Sequence, residues 1–271
     1  MVEWIAHYLA LGFDELLIYD NGSTDETFAV LECLSLSEPR IRLSAWPDVA
    51  GQIPQSTAYN HAAARAQSQW MAFFDADELL VLKEHACIHD FLVRYPAEAG
   101  AVAINWKLFG SSGQEKYVDE LQSIRFRRCA QDHPATKDRF IKSIVRVESI
   151  KRAAAHTAVL KPGFRYFDDQ AQPVDIIESC KTVVPSHRVA QLNHYVVRSR
   201  QEFLEKRARG NVARTRSAPD KFGRDETFWR THDTNHRQDW AIDPWVGRAA
   251  PIRRRLFDHL FEHGVSSGRS F

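Results

Sequence analysis

The chain has 271 residues, 44% hydrophobic and 26% charged, a composition that excludes wholesale disorder and leaves room for one large buried core. Its 36 basic and 35 acidic residues give a formal net charge of +1, which excludes the strong basic field of a nucleic-acid-binding domain. No apolar run reaches the roughly 18 residues a membrane span needs, the N-terminus lacks a charged-then-apolar leader, and Cys33, Cys87, Cys129 and Cys180 form no Cys-x-x-Cys pair; the sequence reads as cytoplasmic, at most peripheral to the inner membrane, without a zinc knuckle or redox motif.

Val2, Ile5, Ala6, Leu9 and Ala10 recur at helical spacing and Gly12 stands where a helix would stop, which predicts an opening amphipathic helix. Glu15 to Tyr19 reads as a buried strand feeding the polar loop Asp20-Asn21-Gly22-Ser23, with Ser23 or Thr24 able to cap the helix that follows. Arg40 to Ala45 predicts another strand, Gln55 to Ala66 an alanine-rich helix containing Asn60, and Trp70 to Phe74 a dense apolar run that ends abruptly in Asp75-Ala76-Asp77-Glu78. This alternation is the signature of an α/β unit with a mostly parallel sheet, whose ligands lie beyond the carboxyl ends of the strands. Both acidic loops, at Asp20 and at Asp75, fall at such ends.

Ala101 to Trp106 and Ile141 to Val147 are further strands, Phe109 to Gly113 is a glycine- and serine-rich loop, and Gln201 to Arg209 is helical. From about Ser217 the chain turns polar, and Trp229, Trp240 and Trp245 suggest short helices packed on the main body. Two basic runs, Lys206 to Arg209 with Arg214 and Arg216, and Arg253 to Arg255, read as solvated helix faces, with an anionic ligand or membrane surface as the alternative.

Asp75 and Asp77 are two apart, so in an extended segment both project to one side and can approach a single hard cation. Transfer of a sugar from a nucleoside diphosphate needs the leaving charge neutralised, which a divalent metal at such a site supplies. The loop from Asp20 to Asp25 has the groups to hold a base and ribose, or to make a capped turn. Trp106 with Gly110, Ser111 and Ser112 reads either as a stacking platform for an acceptor sugar or as a core tryptophan before a tight turn.

Tyr19-Asp20-Asn21-Gly22-Ser23-Thr24-Asp25, followed about fifty residues later by Phe73-Phe74-Asp75-Ala76-Asp77-Glu78, resembles family 2 type glycosyltransferases. More narrowly, it resembles the branch related to family 92, whose members begin with a Glu-Trp-x-x-x-His/Tyr helix and Leu-Gly-Phe-Asp; Glu3-Trp4 and Leu11 to Asp14 match here. Trp106 to Gly113, Lys142 to Arg146 and Asn193-His194-Tyr195 leading into Ser199 to Phe203 extend the likeness over about residues 2 to 210. Residues 211–271 remain as a C-terminal helical extension.

The resemblance implies an α/β GT-A fold, a nucleotide-sugar donor with UDP as default, Mn2+ or Mg2+, and transfer onto a glycan or glycolipid acceptor in a bacterial surface polysaccharide. It carries Asp20, Asn21, Ser23 and Asp25 onto the nucleoside loop, Asn60 onto the donor-facing helix, Asp75 and Asp77 onto the metal motif, and His194 onto the position of a third ligand. The family's first strand, with a Lys-Asn-Glu-like motif, would precede the opening helix, whereas this chain starts at Met1 just before it. Inverting transfer also needs a carboxylate base near the acceptor hydroxyl. Asp168 and Asp169 lie in a suitable order before His194 and are favoured, with Asp119 and Glu120 as rivals. The competing readings are a nucleotidyltransferase, which predicts a glycine-rich basic phosphate loop that is not seen, and a degenerate, non-catalytic nucleotide- or glycan-binding module.

Overall fold

A computed structural model describes residues 1–131, 137–209 and 223–266. Arg214 and Arg216 of the first basic run lie outside the described residues. The chain enters α1 (Val2–Ala10), which buries Val2, Ile5, Ala6 and Leu9 as its 3.6-residue pattern requires. Then come β1 (Leu16–Asp20), α2 (Thr27–Ser37), β2 (Ile41–Ala45) and α3 (Pro54–Arg65), followed by β3 (Trp70–Ala72), β4 (Glu78–Leu82) and the short α4 (Ile88–Leu92). The middle of the chain supplies β5 (Ala99–Leu108), α5 (Gln122–Arg125), β6 (Arg128–Cys129), β7 (Ile141–Arg146), β8 (Ile150–Ala153), β9 (Ala158–Leu160) and β10 (Arg165–Phe167). The last part carries β11 (Ala190–His194), α6 (Arg200–Arg209), α7 (Glu226–His232), β12 (Arg237–Gln238) and α8 (Asp243–Glu262).

The main sheet runs in the order β3-β7-β5-β11-β4, with β10 also against β5. Every residue of β4, β5, β7 and β11 is buried, which is why residues 79–82 and 101–104 read as continuous apolar runs, whereas β7 and β11 also bury Lys142, Ser143, Arg146, Gln191, Asn193 and His194. The expected mostly parallel sheet is corrected: β3 with β7, β7 with β5 and β11 with β4 are antiparallel, and only β5 with β11 and β5 with β10 are parallel. Among the described residues β1 and β2 form a separate parallel pair rather than joining this sheet. The result is a mixed α/β protein with a curled sheet. Direction is set by how each chain segment returns to the sheet, and local pattern carries no record of it.

The last part of the chain is not a set of short helices only. Trp245, Ala249, Ile252, Leu256 and Leu260 recur at helical spacing along the 20-residue α8, which lies across α1 and α2. Trp245 is almost fully buried and its indole donates to Leu82 O at 2.9 Å. No helix among the described residues is long and apolar enough to cross a membrane.

Candidate active site

The acidic segment owes its position to a crossing. β3 and β4 are consecutive in the chain but lie at opposite ends of the strand order. In a flat sheet that gap is about 19 Å, close to the roughly 20 Å limit of six extended residues. The segment also makes a turn, Glu78 N to Asp75 O at 3.0 Å, so the sheet must curl to be spanned.

In crossing, the segment passes the ends of β7, β5 and β11 and takes a partner from each. Phe73 N bonds Ser143 O at 3.3 Å, and Tyr195 N bonds Asp77 O at 2.9 Å. Asp75 Oδ2 is 3.0 Å from Lys142 Nζ on β7. Its Oδ1 accepts from Gln55 Nε2 at 2.9 Å and from Tyr59 OH at 3.2 Å, both on α3. Glu78 is fully buried; it accepts from Asp75 N at 2.7 Å and from the Trp106 indole on β5 at 2.8 Å, with Lys142 at 3.6 Å. From the other side α1 grips the backbone: Trp4 Nε1 donates to Asp75 O at 3.1 Å, and Tyr8 OH donates to Glu78 O at 3.1 Å while accepting from Leu80 N at 3.2 Å.

Asp77 faces a different set. Lys206 of α6 forms an ion pair with its Oδ2, and His194 Nε2 at the end of β11 is 3.7 Å from its Oδ1. Burial would raise the Asp77 carboxyl, but the charges of Lys206 and Arg198 hold it far below the usual carboxylate range. Burial pushes His194 down to about 3, so its imidazole is neutral near pH 7 and the cations opposite Asp77 are Lys206 and Arg198. Arg198 sits at φ 54, a left-handed backbone rare for a non-glycine residue, and its Nε is buried without a hydrogen bond. His194 Nδ1 is likewise buried and unpartnered. Lys142 stays charged: burial would lower it, but Asp75 and Glu78 hold its ammonium above the ordinary value.

This donor set fits a hard divalent ion in part. Asp77 Oδ1 and His194 Nε2 converge as one oxygen and one nitrogen donor, a pair that suits Mn2+ better than Mg2+, while the unpartnered Nδ1 is the other nitrogen of the ring. Asp75 is turned onto Lys142 and would have to rotate to join them.

The other predicted residues are placed as follows. Both oxygens of Asp20 are taken by its own loop, Oδ2 by Gly22 N and Ser23 N at 3.0 Å each and Oδ1 by the Ser23 hydroxyl. Asn21 Nδ2 donates to Trp46 O at 2.7 Å and Asp48 Oδ1 at 3.0 Å, and Asp25 Oδ1 accepts from Thr27 N at the start of α2. Beside this loop Tyr19, Trp46 and His61 form an aromatic cluster, with Tyr19 OH 2.9 Å from His61 Nδ1. The Asn60 amide is used structurally, bonding Ala153 N and O at 3.0 and 2.9 Å and Ser56 O at 2.8 Å.

Trp106 is nearly buried, its ring stacked on Phe140 and 4.1 Å from the His194 ring centroid. Gly110 to Ser112 packs beneath the segment before β12: Ser111 N donates to Asp233 Oδ1 at 2.6 Å and Ser112 N to Asn235 Oδ1 at 2.8 Å. A Cβ at Gly110 would come within 2.6 Å of Thr234 O, so only glycine allows that approach.

Asp168 Oδ1 accepts from Gln170 N and Gln172 N at 2.9 Å each, and Asp169 Oδ2 from Val189 N and Ala190 N at 2.7 and 3.0 Å. Those last two amides open β11, whereas His194 closes it, about 13 Å away along a strand. The structure therefore does not bring the Asp168 and Asp169 pair together with Asp77. Sequence reasoning missed Arg198, Gln55, Tyr59 and the clamp made by Trp4 and Tyr8, and it read Lys206, which is ion-paired with Asp77, as part of a solvated helix face. The Glu-Trp-x-x-x-Tyr spacing was the available signal for the clamp.

Residues 1–224 match the sequence profile described as Glycosyltransferase family 92. A glycosyltransferase family 92 protein of Ricinus communis is 28% identical over 181 residues, covering 61% of this chain and 30% of that protein. One from Oryza sativa subsp. japonica is 28% identical over 171 residues, covering 60% and 28% respectively. The chain thus spans about 30% of the length of the curated relatives it matches. No solved structure matches it.

Proposed function

The chain belongs to glycosyltransferase family 92, and from that premise we propose that it is a metal-dependent transferase moving a sugar from a nucleoside diphosphate, UDP by default, to a hydroxyl of a glycan or glycolipid. The observation that carries this reading is the crossing acidic segment, held by side chains from α1, α3, β5 and β7 so that Asp77 meets His194 and Lys206 within the field of the Arg198 charge. A surface polysaccharide as destination rests on the motif resemblance alone, since the relatives described above are plant proteins.

Asp77 and His194 would hold Mn2+ or Mg2+, with Asp75 released from Lys142 to join them. When bound, the ion supplies positive charge for the departing diphosphate. In transfer the bond between the anomeric carbon and the β-phosphate oxygen breaks, a bond to the acceptor oxygen forms, and the acceptor proton passes to a carboxylate. Lys206 and Arg198 lie on the Asp77 side and would take the phosphate oxygens as the carboxylate turns to the metal. The loop carrying Asp119 and Glu120 is tied to α6 by Arg200 N to Gln114 O at 3.0 Å and Gln201 N to Glu115 O at 2.9 Å. Because α6 also carries Lys206, we place the base on this loop. The loop from Asp20 to Asp25, with Trp46 beside it, would hold the nucleoside, Asp20 shaping the turn.

The test is calorimetric titration with UDP, with and without Mn2+, on the wild type and on Asp77→Asn. Metal-dependent binding lost in the variant supports the reading. Binding in neither protein points to a degenerate module, and pyrophosphate release from a nucleoside triphosphate to a nucleotidyltransferase.

A further inference from the structure

Away from the acidic segment, the face where α8 meets α2 gathers three soft or borderline ligands. Cys33 Sγ on α2 and one ring nitrogen each from His259 and His263 lie within 4.8 Å of one another, and they alone among the described residues form such a group. A tetrahedral zinc site with Zn–N of about 2.0–2.1 Å and Zn–S of about 2.3 Å separates its ligand atoms by roughly 3.3–3.7 Å. Side-chain rotations of about an ångström would close the set.

Each member is positioned by something other than the cluster. Cys33 is buried on α2 between Val30 and Leu34, also buried. His259 and His263 are four apart, so helical geometry stacks them, ring centroids 4.1 Å apart. A glycine cap fixes the second ring at the helix end: Gly264 at φ 65 donates to Phe261 O at 3.1 Å and Val265 N to Leu260 O at 2.9 Å, the paired bonds of a Schellman closure. An ion pair between Arg255 Nη2 and Glu38 Oε2 at 2.6 Å ties the same two helices.

Two observations point to a ligand. His259 Nε2 is buried and has no hydrogen-bond partner, a desolvated nitrogen that a cation would satisfy. His263 Nδ1 lies 2.9 Å from His259 O. A carbonyl can only accept, so Nδ1 carries the proton and Nε2 presents its lone pair, the tautomer that a metal-binding histidine takes when its other nitrogen is bonded to backbone.

We propose that Cys33, His259 and His263 bind one Zn2+ or a chemically similar transition ion, clipping the end of α8 to α2. Binding releases the Cys33 thiol proton to solvent and forms one metal–sulfur and two metal–nitrogen bonds, leaving a fourth position for water. A thiolate with two imidazoles selects against Mn2+ and Mg2+, so this site is distinct in chemistry from the one at Asp77 and stands whether or not that reading holds.

Titration of the Asp77→Asn protein with Co2+ tests it, since that background removes the carboxylate site and only sulfur ligation gives a thiolate-to-cobalt charge-transfer band in the near ultraviolet. The expected result is that band at one equivalent, displacement by Zn2+, and a melting temperature raised by Zn2+. His263→Ala, at an exposed position, is expected to weaken Zn2+ binding by about 10-fold or more, and Cys33→Ser to abolish the band. Absence of the band in the folded protein, or Zn2+ affinity unchanged in His263→Ala, overturns the proposal.

Discussion

The two acidic loops look alike in sequence and are built in opposite ways. The carboxylates of the Asp20 loop are closed by their nearest neighbours, Asp20 by residues two and three positions on and Asp25 by one two positions on, and the loop's longer tie, from Asn21 to Trp46 and Asp48, spans 25 and 27 positions. The Asp75 to Glu78 segment is satisfied from far along the chain, Trp4 reaching Asp75 across 71 positions and Lys206 reaching Asp77 across 129. Local closure makes a turn that folds with its own strand. Remote closure makes a site that exists only when the whole sheet is assembled, and its charges are desolvated in the process.

That contrast can be broken by experiment. Lys142→Met leaves the Asp75 and Glu78 carboxylates without their buried cation and is expected to lower unfolding free energy by about 3–5 kcal/mol in urea melts; a loss no larger than that of an Asp20 variant would erase the difference between the loops.

Acid should loosen the same region through α1. Burial holds His7 down to about 4 against an ordinary 6.5, with Nε2 2.7 Å from Leu80 O on β4. Between those two values the unfolded chain takes a proton that the folded chain refuses. Stability therefore falls as pH drops from about 6.5, by about 3 kcal/mol once pH is below 4. His7→Gln should flatten the curve over that window, and melts of both proteins from pH 7.5 to 4 check it.

Asp77→Asn is expected to reduce sugar transfer by about 100-fold, roughly 2.7 kcal/mol at the transition state, with the far-ultraviolet circular dichroism unchanged; transfer assays with a panel of nucleotide-sugars and Mn2+ read it directly. The smallest effect belongs to the local loop: Asp20→Ala should cost about 1 kcal/mol of stability in urea.

What the sequence determined by itself was whatever is written within a few residues. The helical period of Val2, Ile5, Ala6 and Leu9, the strands at Glu15 to Tyr19 and Ala101 to Trp106, and Asp75 and Asp77 at the end of an apolar run were all legible, because burial imposes a period on each element separately, although of that run only Phe73 is buried. Membership of family 92 was legible because its motifs are short and contiguous. Only the tertiary structure decided that the sheet is mixed, that β1 and β2 stand apart from it, and that Gly110 to Ser112 lies under the segment at Thr234. It alone showed that Asp169 serves the opening of β11 while His194 closes it. It also brought Cys33 to His259 and His263. Strand direction and the partner of each carboxylate depend on where segments tens to more than a hundred residues apart meet, and no local period carries that information.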